Sequence, residues 1–271
     1  MPLCTPNQIK ARFTLHNCQS FRGLEHWHPI LLSADAEKMQ AYSDPAVRQQ
    51  LKADLQHMGP NPVFSNRWDL MMIKEPKLPA NQGLRGTSVA QLAAAQGKEP
   101  LDAFLDLGVA EHLDTVFELT EINVDPEAVA KILTSPYTVV GLSDGGAHVQ
   151  FDSGVAFSTR LLGYWVREQQ IMSLEEAIRQ ITFASASAFG VYDRGLLRPG
   201  LAADLVVFDA TTINPLPEDI VHDLPNNGWR MRERATGIAY TIVYGTVLLE
   251  HGQHTGALPG RVLRHALYAT A

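Results

Sequence analysis

The pattern of apolar and polar residues is clearest in the middle of the chain. Apolar residues at helical spacing follow Ser88, Pro100 and Pro126, where a polar cap or a proline is typical of a helix start. The apolar run 137–142 comes directly after the third helix and predicts a short buried strand. Helices and a strand in succession are typical of an α/β fold. Two further helices are predicted over 160–169 and 173–181.

The two ends of the chain show different patterns. Residues 1–86 are rich in aromatic residues and prolines, with one predicted strand over 9–15 and one predicted helix over 45–58. We interpret this segment as a loop-rich insertion. In the last part of the chain, short β-rich runs are separated by glycine, proline and asparagine, and the turn at Tyr244-Gly245 predicts a hairpin. We therefore expect a small β module over 191–271.

The segment VVGLSDGGAH, residues 139–148, holds the strongest candidate for chemistry. Its apolar strand ends at Ser143 and Asp144, and the two glycines that follow allow a tight turn. A carboxylate at the C-terminal tip of a buried parallel strand lies where α/β barrels assemble their active sites. Burial beside apolar strands keeps an Asp protonated unless a cation or several donors face it. The alternative is a cap of the next helix, and spacing alone leaves both interpretations open.

Composition narrows the classes of function. The chain has 271 residues, of which 45% are hydrophobic and 19% charged, as in an ordinary globular protein. A net charge of −7 without a basic cluster argues against a nucleic-acid partner. The apolar runs are too short to cross a bilayer, so no membrane partner is expected. Because Cys4 and Cys18 form no disulfide framework and the N-terminus lacks an apolar signal segment, we expect a cytoplasmic location.

Four stretches follow one another in the order found in one family of enzymes. They are GLSDGGAH over 141–148, the two predicted helices over 161–182, the run from 182 to 209 that leads into the β-rich part, and 238–264. Together they resemble the metal-dependent amidohydrolase superfamily, and within it the N-acyl-D-amino-acid deacylase branch, amidohydrolase 3. The resemblance covers only the C-terminal part of a family member, because a complete barrel takes about 250 residues.

This resemblance implies a fold class and a domain organisation. The α/β part would be the C-terminal portion of a (β/α)8 TIM-type barrel, and a small β-sandwich module would follow it. The partial barrel would span 1–190, with the insertion over 1–86 and the last βα units over 87–190. The β-sandwich module would then occupy 191–271.

The resemblance also implies a chemistry. In the superfamily a divalent metal, usually zinc, lowers the pKa of a bound water and polarises the carbonyl of the substrate. Asp144 matches the metal ligand that accepts the proton of this water and then protonates the leaving nitrogen. His148, Gly145 and Gly146 would contact a small-molecule amide substrate, although a surface loop is the alternative for His148. The branch often has an arginine for the substrate carboxylate two residues after the histidine, whereas Gln150 stands here.

The rest of a metal site is not evident in the sequence. Family members carry His-x-His at the end of their first strand. His26 and His28 have this spacing, but no apolar strand precedes them, so we expect a surface loop. Cys4 and Cys18 lack the electropositive partners of a thiolate ligand and are expected to be small apolar packing residues. Asp144 alone cannot hold a catalytic zinc, which needs about three protein ligands.

Two hypotheses from different classes therefore stand. In the first, the chain is the C-terminal part of a metal-dependent hydrolase of C–N (amide) bonds, completed by a missing N-terminal segment or by a second chain. In the second, it is a non-catalytic amidohydrolase fragment whose exposed strand edges dock another chain, and Asp144 only caps a helix. We favour the first for the activity of the family and expect little turnover from this chain alone.

Overall fold

The computed structural model of the chain describes residues 2–57, 64–146, 149–150 and 153–263. Their contacts group into two compact units. The inserted unit is Ile9–Ile122, and the flanking unit consists of the segments on either side of it, Met1–Gln8 and Asn123–Ala271. This grouping by contacts does not test the domain boundaries expected from the sequence, after residues 86 and 190, which stay predictions.

The described elements are a mixture of helices and strands up to Ala188 and are mostly strands afterwards. The strands are β1 (Leu3–Cys4), β2 (Ile9–Phe13), β3 (Met71–Glu75), β4 (Val116–Ile122), β5 (Val139–Val140), β6 (Leu205–Phe208), β7 (Asn214–Pro215), β8 (Asp219–Leu224), β9 (Gly228–Arg232), β10 (Ala235–Thr236), β11 (Ile238–Val243), β12 (Thr246–Glu250) and β13 (Gln253–His254). The α-helices are α1 (Trp27–Leu32), α2 (Asp35–Ser43), α3 (Pro45–Gln56), α4 (Val89–Gln96), α5 (Pro100–Ala110), α6 (Pro126–Leu133), α7 (Phe157–Arg160), α8 (Leu174–Arg179) and α9 (Ser185–Ala188). The other helical segments are the π-helices Leu161–Glu168 and Gln180–Ala184 and the 3-10 helices Gln19–Phe21, Pro79–Leu84 and Pro225–Asn227.

The inserted unit is built on a three-stranded antiparallel sheet in the order β2-β4-β3. Its first and last residues are partners in this sheet, because Ile9 of β2 lies opposite Ile122 of β4. The strand predicted over 9–15 is confirmed as β2. The helix predicted over 45–58 is confirmed as α3, which begins where the Asp44 carboxylate accepts a hydrogen bond from a backbone amide at 2.7 Å.

Aromatic side chains form much of the core of this unit. Phe21 stacks on Trp27 with ring centroids 4.1 Å apart, and Phe104 meets Phe117 edge to face at 4.6 Å. All four rings are fully buried. The first 86 residues therefore contain more regular structure than their composition suggests, including α1, α2 and β3. Burial of large rings, rather than a helical or strand period in the sequence, organises these elements.

The flanking unit contains a parallel strand pair, of which the sequence predicts only the second strand, β5. Leu3 of β1 lies opposite Val139 of β5, and Cys4 lies opposite Val140. Helix α6 precedes β5 in the chain, and Asp125 caps it by accepting a backbone hydrogen bond at 2.9 Å. Both residues of β5 are buried, which confirms the buried strand, although it is shorter than the predicted 137–142. The fold is mixed α/β, as expected.

The helices after β5 carry the rest of this unit's core. The segment predicted as one helix over 160–169 is α7 followed directly by the π-helix Leu161–Glu168. Leu161 and Trp165 from this segment pack with residues of β1 and β5. The helix predicted over 173–181 is confirmed as α8, with Ser173 accepting the backbone amide of Glu176 at 3.2 Å. No helix in the described part of the chain is long and apolar enough to span a membrane.

The last part of the chain contains the predicted hairpin. Strands β11 and β12 are antiparallel around Tyr244-Gly245, and β6 and β13 extend them to a four-stranded sheet in the order β13-β12-β11-β6. A second hairpin pairs β8 with β9, and β7 pairs with β10. The β-sandwich arrangement of this region stays a prediction.

Candidate active site

The turn at Asp144 is held at the end of the parallel strand pair. The backbone amides of Gly141 and Leu142 both donate to the carbonyl oxygen of Cys4, at 3.2 and 3.3 Å. The Ser143 hydroxyl accepts the amide of Gly145 at 3.0 Å and closes the turn. Asp144 itself has a φ of +58°, a left-handed conformation that Asp tolerates better than most side chains do. The sequence therefore placed Asp144 correctly, just beyond a strand of a parallel pair.

Two expectations for Asp144 are corrected by the structure. Its side chain is exposed, so the argument that burial demands a cation or several donors does not apply to it. The next helix in the described part of the chain is α7, whose N-cap position is Ala156, so Asp144 is not the cap of that helix. The strand ends at Val140, and the three residues between it and Asp144 carry the chain out to solvent.

Gly145 and Gly146, the two glycines expected to contact the substrate, have different surroundings. A Cβ on Gly145 would lie 2.7 Å from Val155 Cγ1 and 3.0 Å from the Ser153 carbonyl oxygen, so the turn packs closely on the segment that follows it. Gly146 has a φ of +89° with open space around it, and glycine adopts this conformation without strain. His148, the third expected substrate contact, lies outside the described residues.

The segment under this turn is held by side chains that the sequence did not single out. Asn7 donates from Nδ2 to the Gly154 carbonyl oxygen at 3.0 Å. Glu218 accepts the Ser153 amide at 2.9 Å, and Glu233 accepts the Ala156 amide at 3.0 Å. These contacts join residues far apart in the chain. No local motif in the sequence signals them.

The structure also places the histidine pair His26 and His28. His26 donates its backbone amide to Asp54 at 2.8 Å, and its Nδ1 lies 2.7 Å from the same carboxylate. The hydrogen bond to Asp54 raises the pKa of His26. His28 Nδ1 faces the carbonyl oxygen of Arg22 instead, at 3.1 Å. The two residues stand at the start of α1 rather than in the expected surface loop, and their Nδ1 atoms face different partners.

Both cysteines are buried packing residues, as expected. Burial raises the pKa of the Cys18 thiol well above its usual value, and it raises that of Cys4 despite a hydrogen bond to Thr138. A thiol with a raised pKa is a poor nucleophile and a poor metal ligand near neutral pH. Across the residues that the structure describes, no three His, Cys, Asp or Glu side chains converge on a possible metal position.

Comparison with known proteins decides the family. The profile of the amidohydrolase family matches residues 42–249. The chain belongs to the amidohydrolase family. This amidohydrolase is 31% identical over 182 residues to the D-aminoacylase of Alcaligenes xylosoxydans xylosoxydans, a match that covers 66% of this chain and 34% of the relative. It is 32% identical over 182 residues to the N-acyl-D-glutamate deacylase of the same organism, covering 66% of this chain and 33% of the relative.

Solved structures give the same kind of match. A D-aminoacylase mutant in complex with copper chloride is 28% identical, with a TM-score of 0.47 and coverage of 72% of this chain and 38% of that chain. The N-acyl-D-glutamate deacylase of Bordetella bronchiseptica, complexed with zinc and a phosphonate inhibitor, is 27% identical, with a TM-score of 0.41 and coverage of 67% and 35%. The sequence matches to the D-aminoacylase and the N-acyl-D-glutamate deacylase confirm the resemblance to N-acyl-D-amino-acid deacylases. This amidohydrolase spans about a third of the length of the curated relatives named above.

Proposed function

We propose that this chain is part of a metal-dependent amidohydrolase that cleaves the amide bond of an N-acyl amino acid. The observation that carries the proposal is the exposed carboxylate of Asp144 on a turn directly beyond the parallel strands β1 and β5. Relatives whose names state deacylation of N-acyl-D-amino acids support this substrate class. The two strands would be neighbouring strands of an α/β barrel, whose active sites lie at the C-terminal ends of the strands.

Asp144 would carry the proton transfers of the reaction. A carboxylate within hydrogen-bonding reach of the attacking water takes its proton, and the same group then returns the proton to the leaving nitrogen. The exposed position of Asp144 gives water and substrate access to it. Gly145, Gly146 and His148 would line the substrate position beside it.

The described side chains do not fit a catalytic metal by themselves. Such a metal takes about three protein ligands, and no group of three potential ligands lies together among the described residues. Among the solved relatives, one is complexed with zinc and another with copper chloride, and we propose a divalent metal, with zinc as our choice. We propose that Asp144 is one ligand and that the others come from a further polypeptide segment or a second chain. The cytoplasmic location and the absence of a nucleic-acid partner stay predictions.

A complementation assay tests this function. The chain is mixed with the separately expressed N-terminal two thirds of the D-aminoacylase, zinc is added, and release of D-amino acids from their N-acetyl derivatives is measured. We expect activity only in the mixture, and a loss of at least about a hundredfold with Asp144→Asn, because general acid–base catalysis contributes that much or more.

The control variant is Asp209→Asn, which changes an exposed carboxylate elsewhere in the flanking unit. It should leave the activity of the mixture within about twofold of the unchanged chain. An active mixture that keeps its full rate with Asp144→Asn would remove Asp144 from the mechanism.

The alternative function, a non-catalytic docking module, has one observation in its favour. Large apolar side chains of the flanking unit are exposed, among them Leu197 and Leu258, which are 87% and 86% accessible. Surfaces of this kind often mark protein-binding sites. If docking is the function, the mixture forms a stable complex, seen by size-exclusion chromatography, but releases no amino acid.

A further inference from the structure

The turn at Asp144 rests on a short segment of buried backbone. Ser153, Gly154 and Ala156 are all buried. A Cβ on Gly154 would lie 2.5 Å from the Ser143 carbonyl oxygen, so the residue on one side of Asp144 contacts this segment directly. A Cβ on Gly145, on the other side of Asp144, would lie 3.0 Å from the Ser153 carbonyl oxygen. A shift of the buried segment would therefore move the carboxylate.

Two glutamates accept hydrogen bonds from two amides of this segment. The Glu218 carboxylate accepts the Ser153 amide at 2.9 Å, and the Glu233 carboxylate accepts the Ala156 amide at 3.0 Å. Buried backbone amides need an acceptor, and a carboxylate makes a stronger hydrogen bond to an amide than a neutral oxygen does.

The two glutamates are placed by a β-hairpin. Glu218 directly precedes β8, and Glu233 directly follows β9. At the base of this hairpin Asp219 lies opposite Arg232, and their side chains form an ion pair at 2.6 Å. The pairing of β8 with β9 thus fixes the spacing between the two carboxylates. In addition, the Met231 amide donates to the Val149 carbonyl oxygen at 2.7 Å, so β9 also contacts the chain nearer to the turn.

We propose that Glu218 and Glu233 are positioning residues for Asp144. From the two strand ends at the base of the β8–β9 hairpin, they hold the segment on which the turn at Asp144 rests. This inference rests on the proposed function of Asp144. The glutamates touch neither substrate nor water in the reaction. They act through the backbone of Ser153 and Ala156.

Amide hydrogen exchange, resolved by residue with NMR on the full chain, tests the proposal. Glu218→Ala should speed exchange at Ser153, and Glu233→Ala should speed it at Ala156, each by about tenfold or more, because one hydrogen bond to a charged group is lost. In the double Ala variant the amide resonance of Gly145 should also shift. The double variant with Gln at both positions keeps an acceptor oxygen and should restore slow exchange and the original Gly145 resonance.

Asp223→Ala is the matched control. It removes an exposed ion pair with Arg230 near the turn of the same hairpin, at 2.7 Å, without touching the buried segment. Exchange at Ser153 and Ala156 should stay unchanged in this variant. Amides of β11 and β12 serve as an internal reference. If exchange at these reference amides also becomes faster in the double Ala variant, the two single variants decide the outcome. Glu218→Ala is then judged at the Ser153 amide and Glu233→Ala at the Ala156 amide.

Three results would overturn the proposal. The first is unchanged exchange at Ser153 and Ala156 in the Ala variants, and the second is an equal increase with Asp223→Ala. The third is accelerated exchange together with full activity of Asp144→Asn in the complementation assay. In that case the glutamates anchor the segment but position no catalytic group. Because exchange needs neither metal nor turnover, the first two results are distinct from a failure of the proposed function.

Discussion

Glu111 shows how a single buried carboxylate can organise several segments of the inserted unit. It is 2% exposed and accepts four hydrogen bonds. The backbone amides of Lys77 and Leu78 donate at 2.8 and 3.0 Å, Asn81 Nδ2 donates at 2.8 Å, and the Thr115 hydroxyl donates at 2.6 Å. These donors replace the water that the buried carboxylate has lost.

Glu111→Ala should lower the free energy of unfolding by about 3 kcal/mol, because several buried donors lose their acceptor at once. Urea denaturation followed by circular dichroism measures the loss. The control is Glu121→Ala, which removes a half-buried carboxylate whose hydrogen bonds from Ser65 are exposed. It should cost less than about 1 kcal/mol. Equal losses in both variants would show that the buried network carries no special weight.

His16 is a second residue whose surroundings have a measurable consequence. Its Nδ1 lies 3.0 Å from Asp35, and its Nε2 lies 3.0 Å from Asp114. Lys38 donates to the carbonyl oxygen of His16 at 2.7 Å and to Asp35 at 3.2 Å. Partial burial lowers the pKa of His16, but hydrogen bonds and charge from Asp114 and Asp35 outweigh it and raise the pKa.

The raised pKa of His16 predicts that stability falls as pH rises. The stabilisation is fully present below the unfolded pKa of about 6.5 and is lost as pH rises through the higher folded value. The urea midpoint should therefore decrease above about pH 6.5, and His16→Gln should make this decrease smaller. It should not abolish it, because the hydrogen bond to Asp54 raises the pKa of His26 too.

The control for this pH dependence is His28→Gln, which changes an exposed histidine whose Nδ1 faces a backbone carbonyl oxygen rather than a carboxylate. This variant should keep the dependence of the original chain. A His16→Gln variant with an undiminished decrease would contradict the prediction.

Among the helices and strands, the sequence predicted those that have local signals at their ends. Helix α4 begins at Ser88, whose hydroxyl accepts the amide of Gln91, and ends at Gly97 with a φ of +63°. Both signals are visible in the residue types alone. Strands β3 and β4 lack such signals. Their positions depend on the pairing of β4 with both β2 and β3 and on burial against aromatic rings from distant segments, which a local pattern does not encode.

The π-helix Leu161–Glu168 offers a test of close packing between elements. A Cβ on Gly163 would lie 2.5 Å from Asn214 Oδ1 and 2.7 Å from the Ile213 carbonyl oxygen. Gly163→Ala should therefore destabilise the chain by about 1–3 kcal/mol, although alanine favours helices over glycine. Thermal unfolding measures the change. Gly83→Ala is the control, since nothing lies within 4 Å of the added atom. A Gly163→Ala variant as stable as this control would show that the helix can shift freely.

At the scale of the whole molecule, the metal content of the purified chain is predictable. The described residues bring no three potential ligands together, and catalytic zinc takes about three. We therefore expect well below one zinc per chain by elemental analysis after dialysis against metal-free buffer. One zinc or more per chain would contradict this expectation. The first variant to analyse would then be His148→Ala.

The sequence predicted one part of the candidate site and missed the rest. Asp144 follows from a strand, a polar turn and two glycines within ten residues, so its place could be predicted. Its exposure could not, since it depends on how far the turn extends beyond β5. Asn7, Glu218 and Glu233 contact the segment beneath the turn across long stretches of chain. Only the folded structure brings these residues together.

The pairing of Ile9 with Ile122 has a consequence for how the chain accommodates its insertion. Residues opposite each other in an antiparallel sheet have Cα atoms only about 5 Å apart. Once the inserted unit has folded, it presents the flanking unit with two chain ends at that separation, as a short turn would. The chain entropy that closing a long loop would cost is then lost when the inserted unit itself folds. Changes in the length of this insertion would therefore leave the distance between its two ends unchanged. These ends continue into β1 on one side and toward β5 on the other.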